Sequence, residues 1–168
     1  MKRKTDAARV LHTTQEDAVR RQLIEDYDPR DHPAQLVRRV HQKGVHLFTQ
    51  AVSDSSLSVT QFVALVTLLK VGPLSQSRLG RLTSMDPSTT TVVIRKLVRD
   101  GLIRKTRSES DQRTSVLDLT PAGRDCALAH IPASQSAGED LLAPLTPIER
   151  VLFMELLRKL LADGPAPE

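Results

Sequence analysis

Tryptophan is absent from this 168-residue chain, and three Phe and one Tyr supply its aromatics, 2% of the total. Hydrophobic residues make up 39%, enough for a core, but one that must be built from Leu, Val, Ile and Ala. Sheet-rich folds draw on aromatic and β-branched side chains, so the shortage argues for a mainly α protein. One cysteine, Cys126, excludes an internal disulfide and fits a reducing cytoplasm. No apolar run approaches the ~18 residues of a membrane span. The basic start Met1-Lys2-Arg3-Lys4 has no apolar stretch behind it, so neither a membrane partner nor a secretory leader is expected. His12, His32, His41, His46 and His130 show no zinc-ligand spacing. There is also no nucleophile elbow and no glycine-rich phosphate loop. No enzymatic activity, metal site or cofactor is expected.

What the chain does have is positive charge, gathered in one place. Between Arg95 and Arg113 lie seven basic residues (Arg95, Lys96, Arg99, Arg104, Lys105, Arg107, Arg113) and three acids (Asp100, Glu109, Asp111). That local surplus equals the +4 of the whole chain. A concentrated basic patch points to a polyanionic partner.

Helix signals punctuate the chain at regular intervals. Thr14-x-x-Asp17 can open a short helix to Ile24, before Asp28-Pro29 breaks the chain. A helix is predicted from Pro33 to about Ser53, with Leu36, Val37, Val40, Leu47, Phe48 and Ala51 on one arc. Gly44 falls in the middle of that arc, where it is either tolerated or a point of close helix approach. Ser58-x-x-Gln61 is a capping box for Val59 to Lys70, stopped by Gly72-Pro73. Ser75 caps a short helix to Leu82. Asp86 followed by Pro87 opens another, ending at Arg99 or Asp100 with Gly101 as the left-handed terminator. Leu102 to Arg107 and Arg113 to Leu119 read as a β-hairpin with a charged tip. Thr120-Pro121 opens a helix that Pro132 should kink or break. Thr146-Pro147-x-Glu149 caps a last helix with Ile148, Val151, Leu152, Leu156 and Leu160 on one stripe.

Helix, short helix, helix and charged hairpin make a winged helix-turn-helix. The helix after Asp86 would be the recognition helix. Ser88, Thr89, Thr90 and Thr91 are small enough to approach base edges and phosphates in a major groove. Arg95 and Lys96, with Arg99, would neutralise flanking phosphates. The hairpin would reach the adjacent minor groove with basic side chains such as Arg107. Alone, a Ser-Thr run after Asp-Pro is ordinary capping chemistry. Followed by three basic residues and a charged hairpin, it reads as a DNA-facing element.

Residues Leu57 to Gly123 resemble the MarR family of transcriptional regulators. The likeness rests on Leu57-Ser58-x-Thr60-Gln61, Gly72-Pro73-Leu74-Ser75, Asp86-Pro87-Ser88-Thr89-x-Thr91, Leu97-x-x-x-Gly101-Leu102-Ile103, Asp111-Gln112-Arg113 and Leu119-Thr120-x-x-Gly123. The resemblance implies a homodimer with interleaved terminal helices, bound to a palindromic double-stranded DNA operator. It also implies a wing in which Asp111 orients Arg113 toward the minor groove. Val92 stands where the family often carries a basic residue. The domain layout expected is an arm or extra helix over 1–30, a dimerisation helix over 31–56, the winged helix-turn-helix over 57–123, C-terminal dimerisation helices over 124–163 and a tail over 164–168.

A finer likeness lies in Pro33-x-x-Leu36-x-Arg38-Arg39-x-His41-Gln42 with Phe48, and in Leu141-Leu142-Ala143-Pro144-Leu145-Thr146. It is similar to members controlling aromatic-acid and hydroxynicotinate degradation. That implies a repressor released by a small aromatic or heteroaromatic carboxylate. Arg38, His41, Gln42 and Phe48, a guanidinium, an imidazole, an amide and a phenyl ring bordering an apolar arc, suit such a ligand. The plainer reading makes His41 a core histidine and Arg38 a surface ion-pair partner. A zinc-sensing repressor of the same fold, using His41 and His46, is the alternative function. A winged helix serving only protein contacts is a third reading, which the basic wing disfavours. Cys126, with no cationic neighbour but Arg124, reads as structural filler rather than a peroxide sensor.

Overall fold

The computed structural model describes residues 17–53, 55–107 and 115–162. The chain divides into two compact units, Met1–Gln42 and Lys43–Glu168. In the first, helix α1 occupies 17–26, and helix α2 begins at Pro33 and continues into the second unit as far as Ala51. Arg30 closes a local ion pair on Asp28, Nη2 to Oδ2 at 2.7 Å, in the break between the two helices. The Thr14 expected to cap α1 lies outside the described residues.

The second unit continues with α3 (Val59–Val71), β1 (Leu74–Ser75), α4 (Gln76–Leu82), α5 (Pro87–Arg99), β2 (Ile103–Arg107), β3 (Ser115–Leu119), α6 (Pro121–Leu142) and α7 (Pro147–Ala162). The sheet is antiparallel in the order β1-β3-β2. The hairpin was legible in sequence; β1 was not, because two residues carry no periodicity. Register pairs Ile103 with Leu119 and Lys105 with Leu117, while Leu74 pairs with Leu117 on the other side. Leu117 and Leu119 are buried and Val116 is half-buried, the two-residue alternation expected of a strand covered on one face.

Leu65, Leu79, Leu97 and Leu117 form the centre of the core, fully buried, with Ala64 and Ala127 beside them. Phe48 and Phe62 supply the aromatic edge, ring centroids 5.2 Å apart. The aliphatic make-up foreseen from composition is therefore how α3, α4, α5, the sheet and α6 are held together.

Capping follows the sequence signals closely. Ser58 Oγ accepts from Gln61 N while Gln61 Oε1 accepts from Ser58 N, a complete box. Thr146 and Glu149 make the same exchange at α7. At the end of α5, Gly101 has φ of +70° and Leu102 N reaches back to Leu97 O, the left-handed termination that only glycine adopts without strain. The expectation of a kink or break at Pro132 is corrected as to the break. α6 runs unbroken through it, because Pro132 and Leu128 are both exposed and solvent can take the carbonyl that proline leaves without an N–H.

Not all expected apolar arcs are buried. On α2 only Phe48 is buried, and Leu36, Val37 and Val40 are exposed. α7 has no buried residue: Ile148, Val151, Leu152, Leu156 and Leu160 all face outward. No described helix is long and apolar enough to cross a membrane.

Candidate nucleic-acid interface

The exposed stripe of α5 is Ser88, Thr91, Val92 and Arg95, spaced as neighbours on one helical face. Asp86 organises its first turn. Its Oδ1 accepts from Thr89 N at 2.8 Å and from Ser88 Oγ at 2.5 Å, and its Oδ2 accepts from Thr89 Oγ1 at 2.6 Å. These three donors favour the charged form, holding the carboxyl well below the usual carboxylate range, with the Ser88 hydroxyl the largest cause. Sequence reading took Asp86 as a backbone cap alone. Its second role, fixing two side-chain hydroxyls, needs rotamers that no spacing rule supplies.

Thr90 is a correction. It faces inward, 2% exposed, and its hydroxyl donates to Asp86 O at 2.8 Å. At helical spacing one residue of four consecutive positions must point to the core, and Thr90 shares that side with Val93, Ile94 and Leu97. Its place is against Gly80 in α4 rather than at a base edge.

Lys96 is corrected likewise. Its ammonium donates to Ser56 O at 3.2 Å and Gln61 Oε1 at 3.3 Å, so it clips α5 to the head of α3 instead of standing free for a phosphate. Thr91, exposed, donates to Pro87 O and accepts from Gln76 Nε2 at 2.9 Å. Gln76 was missed in sequence, since its partner is fifteen residues away and no periodicity links them.

In the wing, Arg104 is tied to its register partner Asp118, Nη2 to Oδ2 at 2.5 Å. Arg107 closes β2. Asp111 and Arg113, expected at the tip, lie outside the described residues. A cavity of about 800 Å3 opens between α4, the start of α5 and the wing, with Gln76, Arg81, Met85 and Lys105 on its walls. This is the volume of a small-molecule site.

Of the residues expected to hold a ligand, Arg38, His41 and Gln42 are exposed on α2 in the single chain. Phe48 is corrected: it is buried against Phe62 and serves the core. His46 is exposed. Among the described residues no three His, Cys, Asp or Glu are grouped to hold a metal ion.

Comparison with known proteins fits this geometry. Residues 57–115 match the MarR family profile. The HTH-type transcriptional repressor NicR of Pseudomonas putida is 30% identical over 135 residues, spanning 80% of this chain and 85% of NicR. The chain belongs to the MarR family. Among solved MarR-type structures, Bordetella bronchiseptica BpsR, whose DNA binding is regulated by 6-hydroxynicotinic acid, is 31% identical with a TM-score of 0.77, covering 83% of this chain and 99% of BpsR. The PcaV transcriptional regulator of Streptomyces coelicolor, solved with its natural ligand, is 29% identical with a TM-score of 0.76, covering 83% of this chain and 98% of PcaV. The mainly α winged-helix fold expected from sequence is thus that of the MarR family, whose members matched here are transcriptional regulators.

Proposed function

We propose that this MarR-family regulator is a homodimeric repressor that leaves a palindromic operator when a small aromatic or heteroaromatic carboxylate binds. The observation that carries the DNA-binding part is the exposed α5 stripe of Ser88, Thr91, Val92 and Arg95, its first hydroxyl held by Asp86. Ser88, Thr89, Thr91 and Arg95 remain the proposed groove-facing residues, with Arg107, Asp111 and Arg113 proposed for the wing. Dimerisation is supported by the exposed leucine face of α7 and the exposed apolar residues of α1 and α2, in keeping with dimerisation segments over 31–56 and 124–163 around the DNA-binding domain.

The ligand class is supported by the likeness to BpsR and PcaV. Arg38, His41 and Gln42 are proposed to take the carboxylate where the terminal helices of the dimer meet. The cavity beside α4, with Arg81 and Lys105 on its walls, is a second position with the right charge. Mechanistically, two recognition helices held about one DNA turn, ~34 Å, apart fit one operator. A ligand that favours another spacing needs a coupling of only ~1–3 kcal/mol to switch occupancy.

The test combines a thermal-shift screen of aromatic and heteroaromatic acids, with and without zinc, with operator release in a gel-shift assay. A specific acid should raise Tm and release DNA in wild type. The Arg38→Ala, His41→Ala double variant should keep operator binding and lose release. Release by zinc alone, or by no acid, overturns the ligand reading. Arg113→Ala should weaken binding and flatten its salt dependence.

A further inference from the structure

We infer that Gln76, the first residue of α4, is a base-reading residue of this regulator, its amide held at the groove by Thr91 of α5 to select an adenine. The inference rests on the operator-binding reading above and deepens it by naming a specificity-determining side chain that lies outside the recognition helix.

The argument starts from where the hydroxyl protons of the α5 tip go. Ser88 and Thr89 donate to the carboxylate of Asp86, Thr90 donates to Asp86 O, and Thr91 donates to Pro87 O. A hydroxyl has one proton to give. All four protons point back into the protein, so the tip offers a groove only oxygen lone pairs and methyl groups. Apart from the Arg95 guanidinium further along the stripe, a donor for adenine or guanine N7 has to come from outside α5.

Gln76 supplies it. One of its amide N–H groups goes to Thr91 Oγ1 at 2.9 Å, and because Thr91 has already donated to Pro87 O, the amide orientation is fixed with nitrogen toward Thr91. On this inference the second N–H and Oε1 of the half-exposed Gln76 serve as the donor–acceptor pair offered to the groove. That is the pattern by which a carboxamide pairs with adenine N7 and N6. The backbone beneath it is anchored. Ser75 caps α4 through Arg78 N and pairs with Val116 in the sheet. Gln76 therefore reaches the groove from a rigid base, with its side chain steadied at the far end. The lone pairs and methyls of the threonines complement such a site, since they suit amino donors and thymine methyl groups.

Selection from randomised duplexes with full-chain wild type, Gln76→Ala, Gln76→Glu, Thr91→Val and Thr91→Ser tests this. Wild type should enrich a palindrome containing one symmetry-related adenine pair. Gln76→Ala should reduce the preference there by about 5- to 150-fold, the range of one bidentate base contact, and leave the other positions intact. Gln76→Glu should move that position toward cytosine, whose amino group a carboxylate accepts. Thr91→Val should blur the same position, while Thr91→Ser, which keeps the oxygen, should preserve it. A wild-type palindrome that Gln76→Ala leaves unchanged at every position overturns the inference and spares the operator reading. Wild type that enriches no duplex overturns both.

Discussion

A side chain on Gly80 would put its Cβ 2.8 Å from the hydroxyl oxygen of Thr90 and 3.3 Å from the carbonyl oxygen of Met85. The turn between α4 and α5 closes on this pair, with Met85 N bonded to Gly80 O at 3.0 Å. Thr90 is buried and its hydroxyl bonded, so it has little room to yield. Gly80→Ala should therefore cost about 1–3 kcal/mol, the usual range for overpacking. Adding Thr90→Ala should recover part of that loss. Chemical denaturation of the two single variants and the double variant measures the coupling, and strictly additive losses would refute the clash.

Acid should act on the α5 tip through Asp86. Its folded pKa is depressed by the Ser88 and Thr89 donors, so its contribution is fully present above its unfolded pKa of about 4 and fades as pH falls toward the lower folded value. Asp86→Asn removes that linkage. Wild type should melt above the variant near neutral pH, and the gap in Tm should narrow as pH drops below about 4. A gap independent of pH would show that the carboxylate charge does not organise the turn.

The outward leucines of α7 make a prediction about assembly. Leu152→Asp with Leu156→Asp replaces two exposed apolar side chains, so a lone protomer should keep its helical circular dichroism. A dimer that buries this face should not survive two desolvated carboxylates. Sedimentation should change from dimer to monomer, and operator affinity should fall at least tenfold, about 1.4 kcal/mol or more. A variant that remains a dimer would move the interface elsewhere.

Cys126 is half-buried, and burial pushes its thiol up from the ordinary value. Its Sγ lies 3.9 Å from His130 Nδ1, but that nitrogen sits 2.8 Å from the Cys126 carbonyl oxygen. A raised pKa lowers the thiolate fraction at neutral pH, and thiolate is the reactive form. Peroxide should leave operator affinity unchanged, and Cys126→Ser should behave as wild type in the same assay. Peroxide-dependent release abolished by that substitution would establish a redox role.

Local rules foretold much of this molecule because its helix ends are written in adjacent residues. Ser58 with Gln61, Asp86 with Pro87, Thr120 with Pro121 and Thr146 with Glu149 each announce a helix within four positions, and Gly101 announces an end. What local rules missed depends on partners far away in the chain. Thr90 looks like its hydroxyl neighbours until Gly80 packs against it. Lys96 looks like a free cation until the carbonyl of Ser56 and the amide of Gln61 claim it. Phe48 looks like the wall of a cleft until Phe62 covers it. Periodicity says which residues share a face; it does not say what that face meets.

The root of α6 is knotted into the end of α5. Thr120 caps α6 through Gly123 N and donates its hydroxyl to Gly101 O at 2.7 Å, while its own N–H bonds Leu102 O. Gly123 passes so close that a Cβ there would stand 1.8 Å from Leu102 O. Because Thr120 and Gly123 fasten α6 directly to Gly101 and Leu102, a rotation of α6 as a body would act as a lever with its short end at the foot of α5. Over 22 residues the lever is about 33 Å long, so ~3 Å of travel at the far end corresponds to ~5° of rotation at the root. Whatever moves the distal half of α6 is thus felt directly at the foot of α5, through Thr120 and Gly123.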